Sequence, residues 1–395
     1  MLNLRLMPGL VVCLLSAWLA QAQPPLYYNA SSATLSLNTL NSVATNGTGQ
    51  ATLFTADGPG VNNVNRCTAM AVDGLNGMLF FVDAQSYELW SVKLDGSGLA
   101  LVESGLPNYP VDLALDVLNR KIYYATSSAI QNSNTVHRVD YTGANDTTVF
   151  TASGPTVNGG NGVSRCTAIA VDVSNSKIFL ADAGAQEIWS MSLAGTGLAA
   201  LATSAANSFP TDVALDTVHQ QAYFTISSTV QSANLIERLN YNGTGPTTLF
   251  TASGSVQRCT ALDVDVPDAT IYLSDAGLGT PVLWRIPLAG GSASQVLSSL
   301  AATAKKVRFF SGPTTRPSPR LAGIQFSGSN VVLNATNGYI GGTYYVLTAT
   351  NLTTPLNQWV PVFTNVLGAS GIFSLTVSNS FTAHVPRQFY ILRVQ

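Results

Sequence analysis

Six times along this chain an apolar residue is followed by a second apolar residue three places on and a glycine four places after that. The segments are Leu40 to Gly47, Leu89 to Gly96, Val136 to Gly143, Ile188 to Gly195, Ile236 to Gly243 and Leu283 to Gly290. Their glycines stand 47 to 52 residues apart. Such a period belongs to arrays in which each repeat is one small structural unit. A unit of that size cannot bury its own apolar faces and must stack against its neighbours. Each glycine lies in a turn such as Leu94-Asp95-Gly96-Ser97-Gly98 or Tyr241-Asn242-Gly243-Thr244-Gly245. Asp-Gly and Asn-Gly accept the positive φ of tight hairpins.

Upstream of each glycine is an aromatic-rich run: Tyr27-Tyr28, Phe80-Phe81, Tyr123-Tyr124, Phe179-Leu180, Tyr223-Phe224 and Tyr272-Leu273. An apolar run precedes it, as in Ala69 to Asp73, Leu113 to Asp116, Ile169 to Asp172 and Val213 to Asp216. A short run follows the glycine, as in Thr52 to Phe54, Thr148 to Phe150 and Thr248 to Phe250. Four short strands per period predict a β-propeller blade. The first unit, from Pro25, lacks its innermost strand, and Lys305 to Phe310 resembles an innermost strand with nothing of its own behind it. Joining the two gives six complete blades and a closed ring, which leaves only short protected edges.

The aromatic runs Phe80 to Asp83, Phe179 to Asp182 and Tyr272 to Asp275 resemble the Tyr-Trp-Thr-Asp signature of the LDL-receptor class B (YWTD) propellers. Ile188 to Gly195 resembles the segment that follows it in that family. The resemblance covers residues 25 to about 310 and implies a six-bladed propeller. It departs at Tyr123 to Thr126 and Tyr223 to Ile226, which lack the aspartate, and no EGF-like module follows. The fold therefore carries over better than a receptor role. A two-blade period lies on top: Arg-Cys-Thr-Ala occurs at Arg66 to Ala69, Arg165 to Ala168 and Arg258 to Ala261. The blades between them have Tyr109 to Asp112 or Phe209 to Asp212 in its place. The ring is thus expected to be a pseudo-threefold array of blade pairs.

The N-terminus reads as an export signal: Arg5, an apolar stretch from Leu10 to Leu19, and a cleavage site after Ala22. The stretch is too short to span a bilayer, which takes about 20 residues, and no later segment is long and apolar enough. The mature protein is expected to be secreted or held at the cell surface. With 10% charged residues and a net charge of -2 the chain lacks the basic face that nucleic acid requires. After Pro-rich Ser311 to Arg320, expected to be a linker, residues 321–395 show strand-like runs separated by turns. They predict a small β-sandwich resembling C-terminal modules of exported bacterial proteins.

Arg66, Arg165 and Arg258 open innermost strands and are expected around the channel mouth, on the face that carries the blade-to-blade loops. Three guanidinium groups there suit an anion or a carboxylate-bearing partner; the plainer reading is that each arginine ties down its own loop. Asp112 and Asp212 alternate with them, so salt bridges around the rim are an equally reasonable reading, and Lys306 takes the third such place and breaks the symmetry. The cysteines Cys67, Cys166 and Cys259 hold equivalent positions too far apart for a disulfide and are expected to pack as small apolar residues. One aspartate per blade, without a clustered loop, fits hydrogen bonds to backbone better than calcium. Trp90, Trp189 and Trp284 are expected between blades. The sequons at Asn29, Asn46, Asn145, Asn242, Asn334 and Asn351 fit chance in a Thr- and Asn-rich chain. No hydrolase elbow, phosphate loop or zinc motif occurs, and His137, His219 and His384 are scattered.

Together these features predict an all-β, exported, non-enzymatic binding or scaffold protein with no cofactor. Its loop-bearing face, including the long loops Ala56 to Asn65 and Ser153 to Ser164, would recognise an extracellular polypeptide or a glycan. The competing readings are a lactonase-like or strictosidine-synthase-like propeller hydrolase with Asp112 and Asp212 as its ligands, and a purely architectural envelope protein. The oligomeric state is left open.

Overall fold

The computed structural model describes residues 25–309 except 129, 131, 132, 156–158, 278 and 279. Beyond these it describes 320–327, 330–336, 343–351, 354, 355, 358–366, 373–378 and 389–394. The expected leader, Phe310, most of the Pro-rich segment and His384 lie outside the described residues.

Alternating apolar and small polar residues, broken by turn residues, produce six four-stranded antiparallel sheets. Each runs from an innermost strand outward. The second sheet is Cys67–Asp73, Met78–Asp83, Glu88–Lys93 and Ala100–Ser104. The third to sixth repeat that order, with innermost strands Tyr109–Asp116, Cys166–Asp172, Phe209–Asp216 and Cys259–Asp265. The first sheet takes its innermost strand from far along the chain: Thr303–Phe309 pairs with Pro25–Ser31, placing Tyr27 opposite Arg308 and Tyr28 opposite Val307. Asn29 pins this junction. Its side chain accepts the Lys306 N–H at 2.7 Å and donates to the Cys67 carbonyl of the second sheet at 2.8 Å.

The core lies between the sheets. Six apolar clusters each span two neighbours, in cyclic order. One joins Tyr27 and Leu40 of the first sheet to Met70 and Phe81 of the second. The cluster that completes the circuit joins Tyr272 and Leu283 of the sixth to Tyr28 and Val307 of the first. Burying such a side chain contributes about 1.5–3 kcal/mol, so stacking uses apolar surface that an isolated sheet would leave wet. The repeated glycine serves the same stacking. At Gly47 φ is 84°, and a β-carbon would run into the backbone carbonyl of Val296 in the sixth sheet. Gly96, Gly143, Gly195, Gly243 and Gly290 face the preceding sheet in the same way. The arrangement is a β-propeller.

The C-terminal residues form two three-stranded antiparallel sheets. One consists of Arg320–Ser327, Asn330–Thr336 and Phe373–Val377, the other of Val360–Val366, Thr343–Ala349 and Phe389–Val394. Val331, Leu333 and Leu375 are buried in the first, and Val346 and Leu347 in the second. The all-β expectation holds; among the described residues there are eight sheets, six of four strands and two of three.

Candidate functional site

Strand register decides which side chains share the axis. Just inside the irregularity that opens most innermost strands stand Ala69, Asp112, Ala168, Asp212, Ala261 and Lys306. Two residues further along, on the same face, come Ala71, Ala114, Ala170, Ala214, Asp263 and Arg308. Alanine fills seven of these twelve places, leaving room on the axis for the long and charged side chains.

Lys306 Nζ donates to Asp112 Oδ2 at 2.7 Å and to Asp212 Oδ1 at 2.6 Å, and all three residues are buried. Arg308 lies beside them, its guanidinium 3.5 Å from Asp112 Oδ1 and 3.3 Å from Asp212 Oδ2. Each aspartate also accepts a backbone N–H from the next Cys-bearing sheet, Ile169 to Asp112 at 3.0 Å and Leu262 to Asp212 at 3.1 Å. Asp263 accepts the Phe309 N–H at 2.6 Å. Burial raises the pKa of Asp112 against the pull of Lys306 and Arg308. At Asp212 the same burial is outweighed by those cations, and its carboxyl is held below the usual range. Burial, only partly offset by Arg308, raises Asp263 to about 6. Buried charges are tolerated when paired and hydrogen-bonded, and this cluster plugs the axis. On the side away from the arginines, a cavity of about 250 Å³ reaches Asp263 and Arg308 between walls that include Ala71, Ala114, Ala170 and Ala214.

The six residues expected to form one site therefore divide into two groups. Asp112, Asp212 and Lys306 form the plug. Arg66, Arg165 and Arg258 sit at the mouth, immediately before the innermost strands Cys67–Asp73, Cys166–Asp172 and Cys259–Asp265. In place of rim salt bridges with the arginines, Asp112 and Asp212 pair with Lys306 and Arg308. Asp112 aligns with Ala69 rather than Arg66, three residues deeper along the strand, or about 10 Å at the usual rise. At the mouth, Arg165 and Arg258 are exposed and Arg66 is half-buried with its Nε–H unpartnered. Arg258 Nε donates to Ser227 Oγ at 2.9 Å. Lys305 joins them: partial burial lowers the pKa of its ammonium, and Arg66 and Arg258 lower it further. Between the arginines, at the equivalent place, stand Tyr109 and Phe209, each 37% exposed. The mouth thus alternates cations with aromatic rings.

What holds the arginines' backbone in place is a buried aspartate on the neighbouring strand, opposite the cysteine that follows each arginine. Asp83 accepts the N–H groups of Asn65, Arg66, Gln85 and Ser86. Asp182 does the same for Ser164, Arg165, Gly184 and Ala185, and Asp275 for Gln257, Arg258 and Gly277. The loop is fixed by its backbone, which leaves the arginine side chain out of that task. The other row of aspartates holds turns, as Asp73 does through Asn76 and Asp172 through Asn175. Cys67, Cys166 and Cys259 are free and buried in three different apolar clusters. Burial, with Asp83, Asp182 and Asp275 adding, pushes their thiols up, away from the thiolate a metal would need. Among the described residues no three His, Cys, Asp or Glu side chains are grouped for a metal. Of the sequons, Asn29 is fully buried.

Sequence reasoning missed Lys305, Arg308 and Asp263. It also missed a chain in the third sheet, where Thr135 Oγ1 lies 3.0 Å from His137 Nε2 and His137 Nδ1 lies 3.1 Å from Asp146. His137 is buried and stacked on Tyr124, and neither it nor Thr135 lines the cavity at Asp263 and Arg308.

No family model and no curated protein matches the chain. Its fold is similar to solved structures at low identity. One is the crystal structure of a nidogen/laminin complex, at TM-score 0.55 and 13% identity, covering 72% of this chain and 97% of that one. A second is TolB from Acinetobacter baumannii, at TM-score 0.56 and 9% identity, covering 72% and 66%. A third is a putative TolB from Agrobacterium tumefaciens, at TM-score 0.51 and 10% identity, covering 73% and 98%. These likenesses establish one thing for the chain, its β-propeller fold.

Proposed function

We propose that this is an exported, non-enzymatic binding protein whose loop-bearing propeller face takes an acidic extracellular partner, an extended polypeptide or an anionic glycan. In this reading the leader ends at Ala22, residues 23–310 form a six-bladed propeller of the YWTD type, 311–320 link it onward, and 321–395 form a β-sandwich. One observation carries the function: the mouth gathers Arg66, Arg165, Arg258 and Lys305 around Tyr109 and Phe209, while the charges beneath are neutralised internally. Arginine and aromatic residues are the side chains that anchor interfaces. The nidogen structure, solved in complex with laminin, supports a binding role by analogy of fold alone. Reversing Arg66, Arg165 and Arg258 to glutamate is expected to abolish binding of a polyglutamate peptide, of an anionic glycan and of a partner captured from the native culture medium. Unchanged affinity for all three removes the reading.

The cavity ending on Asp263 and Arg308 favours a second reading, a propeller hydrolase. There Asp263, with its pKa raised to about 6, would serve as the acid–base group in place of Asp112 or Asp212. A lactone and ester screen with metal analysis separates the two: turnover lost in Asp263→Asn supports the hydrolase.

A further inference from the structure

Two of the three aspartates on the axis are matched by cations, and the third is not. Asp112 and Asp212 each lie within ion-pair distance of both Lys306 and Arg308. Among the described residues no ion pair reaches Asp263. Its hydrogen-bond partners are two backbone N–H groups. Val264 donates to Oδ1 at 2.9 Å and Phe309 to Oδ2 at 2.6 Å. A carboxylate offers about four acceptor sites, so roughly half of that capacity is open. Arg308 does not provide the missing charge. Its guanidinium donates to both other aspartates and to the carbonyls of Leu262 and Val307, at 3.3 and 2.9 Å. With Asp263 ionised, three carboxylates stand against two cations, and unmatched charge inside a protein is costly.

Asp112 and Asp212 are sealed, whereas Asp263 is partly exposed and lines the cavity of about 250 Å³. Away from Asp263 and Arg308 the walls are mainly apolar, with Val72, Leu115, Val171 and Leu215 beside the four alanines. Each innermost strand has one neighbour in its sheet, so its other edge turns backbone carbonyls towards the axis. The Leu262 carbonyl that takes Arg308 is one of these. We infer that the cavity binds a primary ammonium ion on a short apolar stem, its head against Asp263 and its stem between the alanines. Such a head restores the charge balance and brings three N–H donors for the carboxylate and the strand-edge carbonyls. An anion would enlarge the excess, and a neutral alcohol would leave it in place. A metal ion is less well served, since among the described residues no three His, Cys, Asp or Glu side chains are grouped. The volume lies just under the roughly 300–1,000 Å³ of drug-sized sites, which limits the stem to a few carbons.

This inference rests on neither reading above, and its readout is binding rather than turnover or capture at the mouth. The protein is titrated calorimetrically with n-butylammonium near pH 7.5, with n-butanol and butyrate as neutral and anionic controls of equal length. n-Butylammonium should bind saturably with a dissociation constant on the order of millimolar, and both controls at least about tenfold more weakly. Burial, with Asp212 adding, raises the pKa of Asp263 to about 6 against Arg308 and the two N–H donors. An alkylammonium, like lysine, keeps its charge to about pH 10. Binding should therefore weaken about tenfold between roughly pH 7.5 and pH 5, as Asp263 takes up a proton. Asp263→Asn should abolish it, and so should Ala170→Leu, which fills the cavity without touching a charge. The triple arginine reversal should leave it unchanged. If either cavity variant fails to fold, the pH profile and the two controls on the native protein decide. No saturable ammonium binding near pH 7.5 overturns the inference. So does equal binding of butanol or butyrate, a flat pH profile, or binding that survives Asp263→Asn.

Discussion

The pair formed by the second and third sheets and the pair formed by the fourth and fifth obey one set of rules; the pair formed by the sixth and first breaks them. In the first two pairs a tyrosine of one sheet reaches an inner-strand aspartate of its partner. Tyr141 donates to Asp73 Oδ2 at 3.1 Å and Tyr241 to Asp172 Oδ2 at 2.9 Å. In the third pair Thr45 holds the tyrosine's place and Asp265 Oδ2 is left without a partner. Lys306 replaces aspartate, Asp263 and Arg308 replace alanine, Val282 replaces glutamate, and the covering loop is short. This is also the pair made from the two ends of the propeller chain. Positions that repeat carry the stacking, whereas positions that break the repeat carry charge or open space.

Restoring symmetry at the plug should be the most damaging change. Lys306→Asp puts a third carboxylate beside two buried ones, and Lys306→Met leaves those two with Arg308 alone. Removing one partner of a buried ion pair costs about 3–5 kcal/mol, so Lys306→Met should lose about that much in urea unfolding and Lys306→Asp more. Adding Asp112→Asn and Asp212→Asn to Lys306→Met should return part of the loss.

The tyrosine latch gives a smaller effect of either sign. Tyr241→Phe strands Asp172 Oδ2 and should cost about 1–3 kcal/mol. Thr45→Tyr, which copies the latch into the third pair, should stabilise by about 0.5–1.5 kcal/mol. Thermal unfolding of the two variants checks whether the latch is transferable.

Asp263 is unique to the third pair and predicts a pH dependence. Its folded pKa of about 6 lies above the ordinary carboxylate value of 3.8, so the folded state holds the proton more tightly. Its contribution is fully present below the unfolded pKa and is lost as pH rises through about 6. Asp263→Asn should remove that downward slope between roughly pH 4 and 6. Smallest of all, Arg165→Ser should change stability by less than about 0.5 kcal/mol, because Asp182 holds the loop through backbone N–H groups.

The glycine turns, the aromatic strands and the displaced strand near Lys306 were legible in the sequence, because each is dictated by a local backbone or packing need that recurs. The alternation of Arg66, Arg165 and Arg258 with Tyr109 and Phe209 was half legible: the places alternate in the sequence, but the exposure of the rings at the mouth does not follow from spacing. Arg308 and Asp263 were invisible for the opposite reason, since each occurs once where four sheets have alanine. Rim salt bridges between the arginines and Asp112 or Asp212 failed because adjacency in the repeat is not adjacency in depth. The His137 chain depends on a turn bringing Asp146 back to its own strand, which no spacing rule announces.

Amide hydrogen exchange on the full chain tests ring closure most directly. The Lys306 N–H, held by Asn29, should exchange only through global unfolding, with the same opening free energy as the Ile169 and Leu262 N–H groups held by Asp112 and Asp212. Rapid exchange at Lys306, with Ile169 and Leu262 still protected, would mean that the last strand does not complete the first sheet.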